Sequence, residues 1–327
     1  MSSAATTINQ TAPPGAGLRA FVRRLRHGDE VAHVITLISA SIILLLTSLL
    51  VYELWVNSHL SRAQFSWSFL WTQGWDPVSD SFGALAYIYG TLVTSAVALV
   101  IAVPLGLAVA IFLSELAPRR ISDAISFLID LLAAVPSVIY GLLGIFTVVP
   151  LMRTVIGPAL KKSLGFLPIF KGPNYGVGFL TAGMVLAIMV VPFIISVSRE
   201  VLLTVPRDQR EAAMALGATR WEATWKVVVP WARVGIMGSV FLALARALGE
   251  TMAVTMVIGS AATIATSLFS PGDTIASTLA NQFTEATGDL YLSSLIELGL
   301  VLFLITFILN GAARLLIIAT ERGGHHS

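Results

Sequence analysis

The sequence predicts an all-α integral membrane protein with six transmembrane helices. Three observations carry this. Hydrophobic residues fill 56% of the 327 positions and charged residues only 12%, about half the share of an ordinary soluble domain. The apolar residues gather into runs free of Asp, Glu, Lys and Arg, several of which reach the roughly 20 residues that a helix needs to cross a hydrocarbon core. The 20 Lys and Arg fall unevenly on the segments between those runs. A mean hydropathy of +0.85 leaves too little polar surface for a water-soluble fold and excludes a disordered chain.

Taken in order, residues 1–30 read as a tail rich in Ala, Thr, Pro and Gly followed by a surface helix. Leu18, Phe21, Val22 and Leu25 recur at helical spacing with Arg on the other face, which suits either an amphipathic interfacial helix or a simple basic flank. The first span covers 31–56. Its uncharged run, Val34 to Tyr52, is longer than a signal-peptide core and no small-x-small site follows it, so it is expected to stay. An extracytoplasmic loop over 57–83 follows. Trp67, Trp71 and Trp75, with Trp55 just before them, read as interface anchors.

Residues 84–319 form the expected core. Across the chain, spans are expected at about 33–55, 84–114, 124–151, 175–198, 232–260 and 293–319. Between the last two lies the outer loop 261–292. There Pro271-Gly-Asp273 predicts a turn and an N-cap. Ile275, Leu279 and Phe283 predict a short amphipathic helix on the outer surface or dipping below it. Residues 320–327 are a second tail.

Orientation follows from the cations. With the N-terminus inside, only Arg62, Arg153, Lys161, Lys162 and Lys171 fall outside, and only Arg246 falls within a span. Both termini are therefore expected in the cytoplasm of a multi-pass protein. The four positives over 153–171 go against the rule locally. They are either tolerated charges or an outer vestibule that attracts anions. Asp130 and Glu115 sit near inner span ends, where Arg119 or Arg120 is the simplest partner.

Much chemistry is missing. With no Cys there is no disulfide and no thiolate site. No G-x-x-x-x-G-K-[ST], H-E-x-x-H or G-x-S-x-G occurs, so no catalytic residue, metal site or cofactor is expected on this chain. A net charge of only +2 gives no reason to expect nucleic acid. Such a chain reads as a transporter, channel or receptor core in membrane lipid.

Two features carry function. The first is the loop 199–231. Pro206 fits the first turn of a helix, the Ala-rich stretch 211–216 favours one, and Gly217 suits its left-handed cap. Thr219-Arg-Trp-Glu222 has the capping-box pattern for a second helix, and Pro230 marks the start of span five. A rigid helix pair just inside the membrane is suited to docking another protein, or is an inert loop.

The second feature is Arg246 and Glu250 in span five. Arg246 lies 13 residues beyond Arg233, about 20 Å deeper along a helix. A charge there is costly unless it meets a partner or a wet path. At i, i+4 the two residues share a helical face. They are either a structural ion pair or an oxyanion site, for which the Arg fork donates two parallel hydrogen bonds. In span three, Pro136, Gly141 and Gly144 suit a kink and close packing. Ser137 and Tyr140 are polar there and either line the path or serve the fold. Glu297, a turn into span six, reads as a rim residue or an entrance charge.

Glu211-Ala-Ala, Gly217 and Pro230 stand at the spacing of the EAA loop of ABC-importer permeases, which this segment resembles, with Val227 and Val229 where Ile and Leu are usual. Leu113-Ser-Glu-Leu-Ala-Pro118, Ala134-Val-Pro-Ser-Val-Ile-Tyr-Gly141 and Arg246-Ala-Leu-Gly-Glu-Thr-Met-Ala253 are similar to segments of the phosphate-specific (Pst) permeases, the last in the form of the PstC branch rather than PstA. The resemblance covers roughly residues 80–320. It implies a type I ABC-importer permease fold in a bacterial plasma membrane, with the loop as a cytoplasmic coupling helix in which Arg210, Glu211, Ala212, Ala213 and Gly217 meet the ATPase. It implies a homologous second permease (PstA-like), two ATPase subunits (PstB-like) that hold ATP and Mg, and an extracytoplasmic phosphate-binding protein (PstS-like), with inorganic phosphate as substrate. Arg246, Glu250, Ser137 and Tyr140 would then line its pathway. Another oxyanion, sulfate or molybdate, stays open as the substrate, as does a membrane sensor or scaffold signalling through the loop. Glu250 either offers a means of discrimination, accepting the proton that phosphate keeps near neutral pH and repelling sulfate, which keeps none, or only neutralises Arg246, with selectivity residing in the separate binding protein.

Overall fold

The computed structural model describes residues 29–323, with side-chain surroundings over 32–318. The expected N-terminal tail, the surface helix at 18–26 and the last four residues of the C-terminal tail lie outside the described residues. The chain divides into two compact units, Met1–Val56 and Asn57–Ser327. Among the described residues, six helices are long and apolar enough to cross a membrane.

The first unit contributes helix α1 (Asp29–Asn57), apolar on every face, as a lipid-facing span must be. Three of its hydroxyls turn back on their own helix: Thr36, Thr47 and Ser48 donate to the carbonyls of Ala32, Ile43 and Leu44 at 2.7, 2.9 and 2.8 Å, which gives these donors a partner that lipid cannot offer.

The second unit is a helical bundle built on α3 (Leu85–Leu116) and α6 (Phe179–Leu203). Ala98 and Ala102 of α3 and Ala182, Val185, Leu186 and Val190 of α6 are buried in one cluster. Lipid is as apolar as these side chains, so close van der Waals packing of small residues, not expulsion from water, holds the pair. At one end Ala110, Leu113, Leu202, Val228 and Ile236 form a second cluster. At the other, Phe69, Phe82, Tyr87, Ile275 and Leu295 form a third.

The third span differs from the sequence expectation of 124–151. Residues 119–133 form a separate helix, α4 (Arg119–Ala133), and the spanning helix α5 covers Ser137–Leu164. Pro136 causes the break. It brings no N–H, and its ring cannot follow the carbonyl four residues back. The Leu132 carbonyl, left over at the break, accepts from Val135 N at 3.2 Å and from the Tyr140 hydroxyl at 2.7 Å. The polar groups Arg119, Arg120, Asp123 and Asp130 suit α4 to an interface. Helix α5 runs on through two π-turns, so Arg153, Lys161 and Lys162 stand on the spanning helix itself and not in a loop. Lys161 Nζ sits 5.3 Å from the centroid of the Phe269 ring.

The fifth span also departs from its expected bounds. The loop helix α7 (Arg207–Ala215) and the Thr219–Glu222 capping box form as the sequence implies. The second helix of the loop and span five are, however, one rod, α8 (Arg220–Leu248). Pro230 does not interrupt it, because a π-turn over Thr224–Val228 takes up the mismatch just before it. The rod ends at Leu248. An irregular step over residues 249–251 leads to a short helix, α9 (Met252–Ile258).

In the outer loop, helix α10 (Ile275–Gln282) forms, and it dips in: Ile275, Ala276, Ser277 and Thr278 are buried. Its N-cap is Thr274, whose hydroxyl accepts from Ser277 N at 3.2 Å; the expected cap, Asp273, is buried one residue earlier. Trp67 and Trp71 are exposed, as interface anchors are, but Trp75 is not such an anchor. Its ring meets Phe82 and Tyr87 edge-on at 4.9 and 5.1 Å, and its Nε1 donates to Gln282 at 2.7 Å. Glu297, on the last helix α11 (Asp289–Gly323), is neither a rim nor an entrance charge. It is 6% exposed, near the buried Ser61 of a short helix, α2 (His59–Phe65).

Candidate functional site

The first candidate site is the step between α8 and α9. Arg246 stands half a turn before the end of α8 and is exposed on the surface of this chain. Its guanidinium lies 5.9 Å from the centroid of the Phe193 ring on α6, a cation–π contact that steadies the charge without neutralising it. Glu250 lies in the irregular step, not on the helix. The continuous i, i+4 face expected from the sequence is therefore broken, and the two residues form no ion pair. Glu250 turns the other way, and its Oε1 accepts from Ala253 N at 3.2 Å across the first turn of α9. This is what a carboxylate does at a helix start, where N–H groups lack partners.

The same region holds α5 against α9, with Tyr140 and Ala253 in one buried cluster. Ser137 opens α5 and is half-buried. Tyr140 is 7% exposed and its hydroxyl is committed to the Leu132 carbonyl. That bond spans the Pro136 break and fixes the angle at which α5 leaves α4.

The second site is α7. Glu211 and Ala212 are exposed on it, Ala213 is half-buried, and Gly217 follows at φ +89°, a left-handed turn that ends the helix. Arg210 faces the other way, into its own chain. It holds Glu115 at the end of α3 through Nε and Nη2, at 3.0 and 2.8 Å, and Nη2 also donates to the Leu202 carbonyl at 2.8 Å. Glu115 therefore pairs with Arg210 and not with Arg119 or Arg120. Asp130 likewise accepts from the Ser196 hydroxyl at 2.9 Å. Leu113-Ser-Glu-Leu-Ala-Pro118 stands out in the sequence, but nothing there ties it to a residue 95 positions on.

Arg210 joins α7 to the bundle, while Met214, Leu216 and Trp221 around it are exposed at 42, 91 and 56%. An anchored helix with an exposed apolar tip is fitted to contact a further subunit. Among the described residues, no group of His, Cys, Asp and Glu is arranged to hold a metal ion.

The family model of binding-protein-dependent transport system inner membrane components matches residues 102–319. The chain is 48% identical over 306 residues to the phosphate transport system permease protein PstC of Mesorhizobium japonicum, covering 92% of this chain and 94% of that one. It is 48% identical over 287 residues to the protein of the same name from Pasteurella multocida, covering 86% and 89%. A probable phosphate transport system permease protein PstC of Methanocaldococcus jannaschii is 40% identical over 243 residues, covering 74% and 77%. Among solved structures, a chain of the bacterial alginate ABC transporter superposes with a TM-score of 0.56 at 15% identity, over 89% of this chain and 96% of that one. A chain of the inward-facing MetNI methionine ABC transporter gives 0.52 at 16%, over 72% and 96%. These two likenesses concern the fold.

Proposed function

The chain belongs to the family of binding-protein-dependent transport system inner membrane components, and we propose that it is the permease subunit of an ATP-driven importer of inorganic phosphate. It is a multi-pass inner-membrane component and is not itself an ATPase. The observation that carries the substrate reading is Arg246: a permanent cation in the fifth span, exposed on this chain, with a ring beneath it and no carboxylate pairing it among the described residues. The likeness in sequence to phosphate permeases over nine-tenths of the chain supports the same substrate.

A homologous second permease covers the exposed Arg246 face, so that the two chains enclose one pathway. The Arg246 fork donates to two phosphate oxygens. Glu250 offers its second oxygen to the O–H that phosphate retains near neutral pH, and thereby disfavours sulfate. Ser137 lines the path beside the Pro136 break, and Tyr140 acts one step removed by holding that break. An extracytoplasmic phosphate-binding protein delivers the anion. ATP and Mg bind on two ATPase subunits, which take α7 into contact through Glu211, Ala212, Ala213 and Gly217. Arg210 passes their movement to α3. Both termini lie in the cytoplasm, as the distribution of cations favours.

Labelled-phosphate uptake tests this, in cells lacking their own high-affinity system, with sulfate as competitor. Uptake that needs ATP, ignores sulfate and collapses in Arg246→Ala upholds the reading. Unchanged uptake in Arg246→Ala, with equal assembly, refutes the pathway role of that residue.

A further inference from the structure

A cavity of about 700 Å³ opens between α7 and the bundle. Its wall carries five arginines, Arg119, Arg199, Arg207, Arg210 and Arg220, against three carboxylates, Glu115, Asp123 and Glu211. The accounting of pairs is uneven. Arg210 and Glu115 consume each other. Arg199 reaches Asp123 at 3.7 Å and Glu200 at 3.1 Å, yet its Nε–H is buried without an acceptor. Arg119, Arg207 and Arg220 have no ion pair among the described residues.

The position of those three is unusual. Each is the first residue of its helix: α4, α7 and α8. A cation at a helix N-terminus opposes the macrodipole, which favours an anion there. In α8 the Thr219–Glu222 capping box satisfies the first N–H groups and adds a carboxylate. In α4 and α7 the cap is a proline with no side-chain hydrogen bond; α7 has one carboxylate in its first turn, Asp208, which is not on the cavity wall, and α4 has none there. Two proline-capped helix starts and three guanidinium groups without an ion pair among the described residues thus meet at one cavity. Several Arg forks converging on one cavity suit a tetrahedral oxyanion.

We propose that this cavity beside α7 binds a phosphate group, either free inorganic phosphate or the headgroup phosphate of an anionic lipid. The inference rests on the reading above in placing the α7 end in the cytoplasm, where both sources occur. It concerns a second site, separate from Arg246. Occupied, the site neutralises the repulsion between the starts of α4 and α7 and draws α7 onto the bundle. Coupling then responds to the anion on the inner side.

The test uses the assembled permease–ATPase complex without its binding protein. It carries Arg246→Ala so that the pathway contributes no binding, and sits in nanodiscs of phosphatidylcholine alone or with phosphatidylglycerol. Equilibrium binding of labelled phosphate is compared with Arg119→Gln/Arg207→Gln/Arg220→Gln in the same background. Binding in phosphatidylcholine that weakens at least about tenfold in the triple variant, and with added salt, identifies free phosphate as the occupant. Phosphatidylglycerol that displaces phosphate, and co-purifies with the parent but not the triple variant, identifies the lipid. Equal retention of both probes by parent and variant, or of neither by the parent, overturns the proposal; the second result fits acidic ATPase side chains filling the cavity. Should the triple variant not assemble, Arg119→Gln alone, off α7, must give a smaller loss in the same direction. No step is transport, so failure here leaves the uptake result standing, and the reverse.

Discussion

Arg210 Nε and Nη2 hold the two carboxylate oxygens of Glu115 at 3.0 and 2.8 Å, in a fork-to-fork pair that joins α7 to the end of α3. The Glu115 side chain is 8% exposed and that of Arg210 20%, so each depends on the other for its charge to be tolerated. The pair makes α7 a lever fixed to α3, which packs against the largely buried α6. A helix held by its loop ends alone would flex instead.

Removing one partner should therefore cost more than removing both. Arg210→Ala leaves Glu115 buried and unpaired, at a cost of about 3 kcal/mol or more. Glu115→Ala/Arg210→Ala should recover part of it. Thermal unfolding of the purified complex measures the three variants. In Arg210→Lys, which keeps the charge but loses the fork, ATP hydrolysis should continue while uptake falls. Equal uptake in Arg210→Lys and the parent would show that the fork does not transmit movement.

Arg246→Ala should abolish phosphate uptake with assembly unchanged, because no carboxylate among the described residues pairs with that guanidinium. Glu250→Gln should be milder in uptake and should let sulfate compete. Its amide can accept from Ala253 N as the carboxylate does, so α9 keeps its start. Competition by sulfate that is no different from the parent would remove Glu250 from the selectivity argument.

Gly217 has φ +89° and open space around it, so an added methyl meets strain and no clash. Gly217→Ala should cost about 1 kcal/mol, and Gly217→Asn less, since Asn tolerates the left-handed region. Because the turn sets the angle between α7 and α8, ATP-coupled uptake should drop in the same order. Stability and uptake that are insensitive to both changes would contradict the role of this turn.

Gly90 is a different case. A Cβ there would stand 1.9 Å from the Asp273 carbonyl oxygen, which is backbone and cannot step aside. The contact seats the buried start of α10 against α3, where Thr91 Oγ1 accepts from Ile275 N at 3.1 Å. Gly90→Ala should reduce the amount of folded protein by several-fold, measured by detergent-resistant chromatography at matched expression. Normal yield would mean that the α10 loop is free to shift.

Tyr140→Phe should lower stability by about 1 kcal/mol through the loss of its bond to Leu132. Uptake per assembled complex should stay near that of the parent. A large fall in uptake with stability intact would return Tyr140 to the pathway.

Much of this architecture is legible in the sequence because its causes are local. Six spans follow from runs of apolar residues, since lipid offers no partner to a backbone that is not helical. The α7 joint follows from Gly217 and the Thr219–Glu222 box, whose bonds close within a few residues. Where local rules compete, the sequence misleads. Pro136 and Pro230 look alike on paper. One splits the expected third span and the other lies inside a continuous rod, because only the second follows a π-turn that absorbs the mismatch.

What the tertiary structure alone decided are the relations between distant residues. It gave Glu115 to Arg210, packed the half-buried Trp75 edge-on against Phe82 and Tyr87, and turned Glu250 away from Arg246 into the start of α9. The sequence placed an arginine in the fifth span, because burying a charge in lipid without purpose is too costly to be common. Whether that arginine was paired depended on a break of three residues in the helix, and on which groups from other helices the bundle brings within reach. Chain periodicity encodes neither.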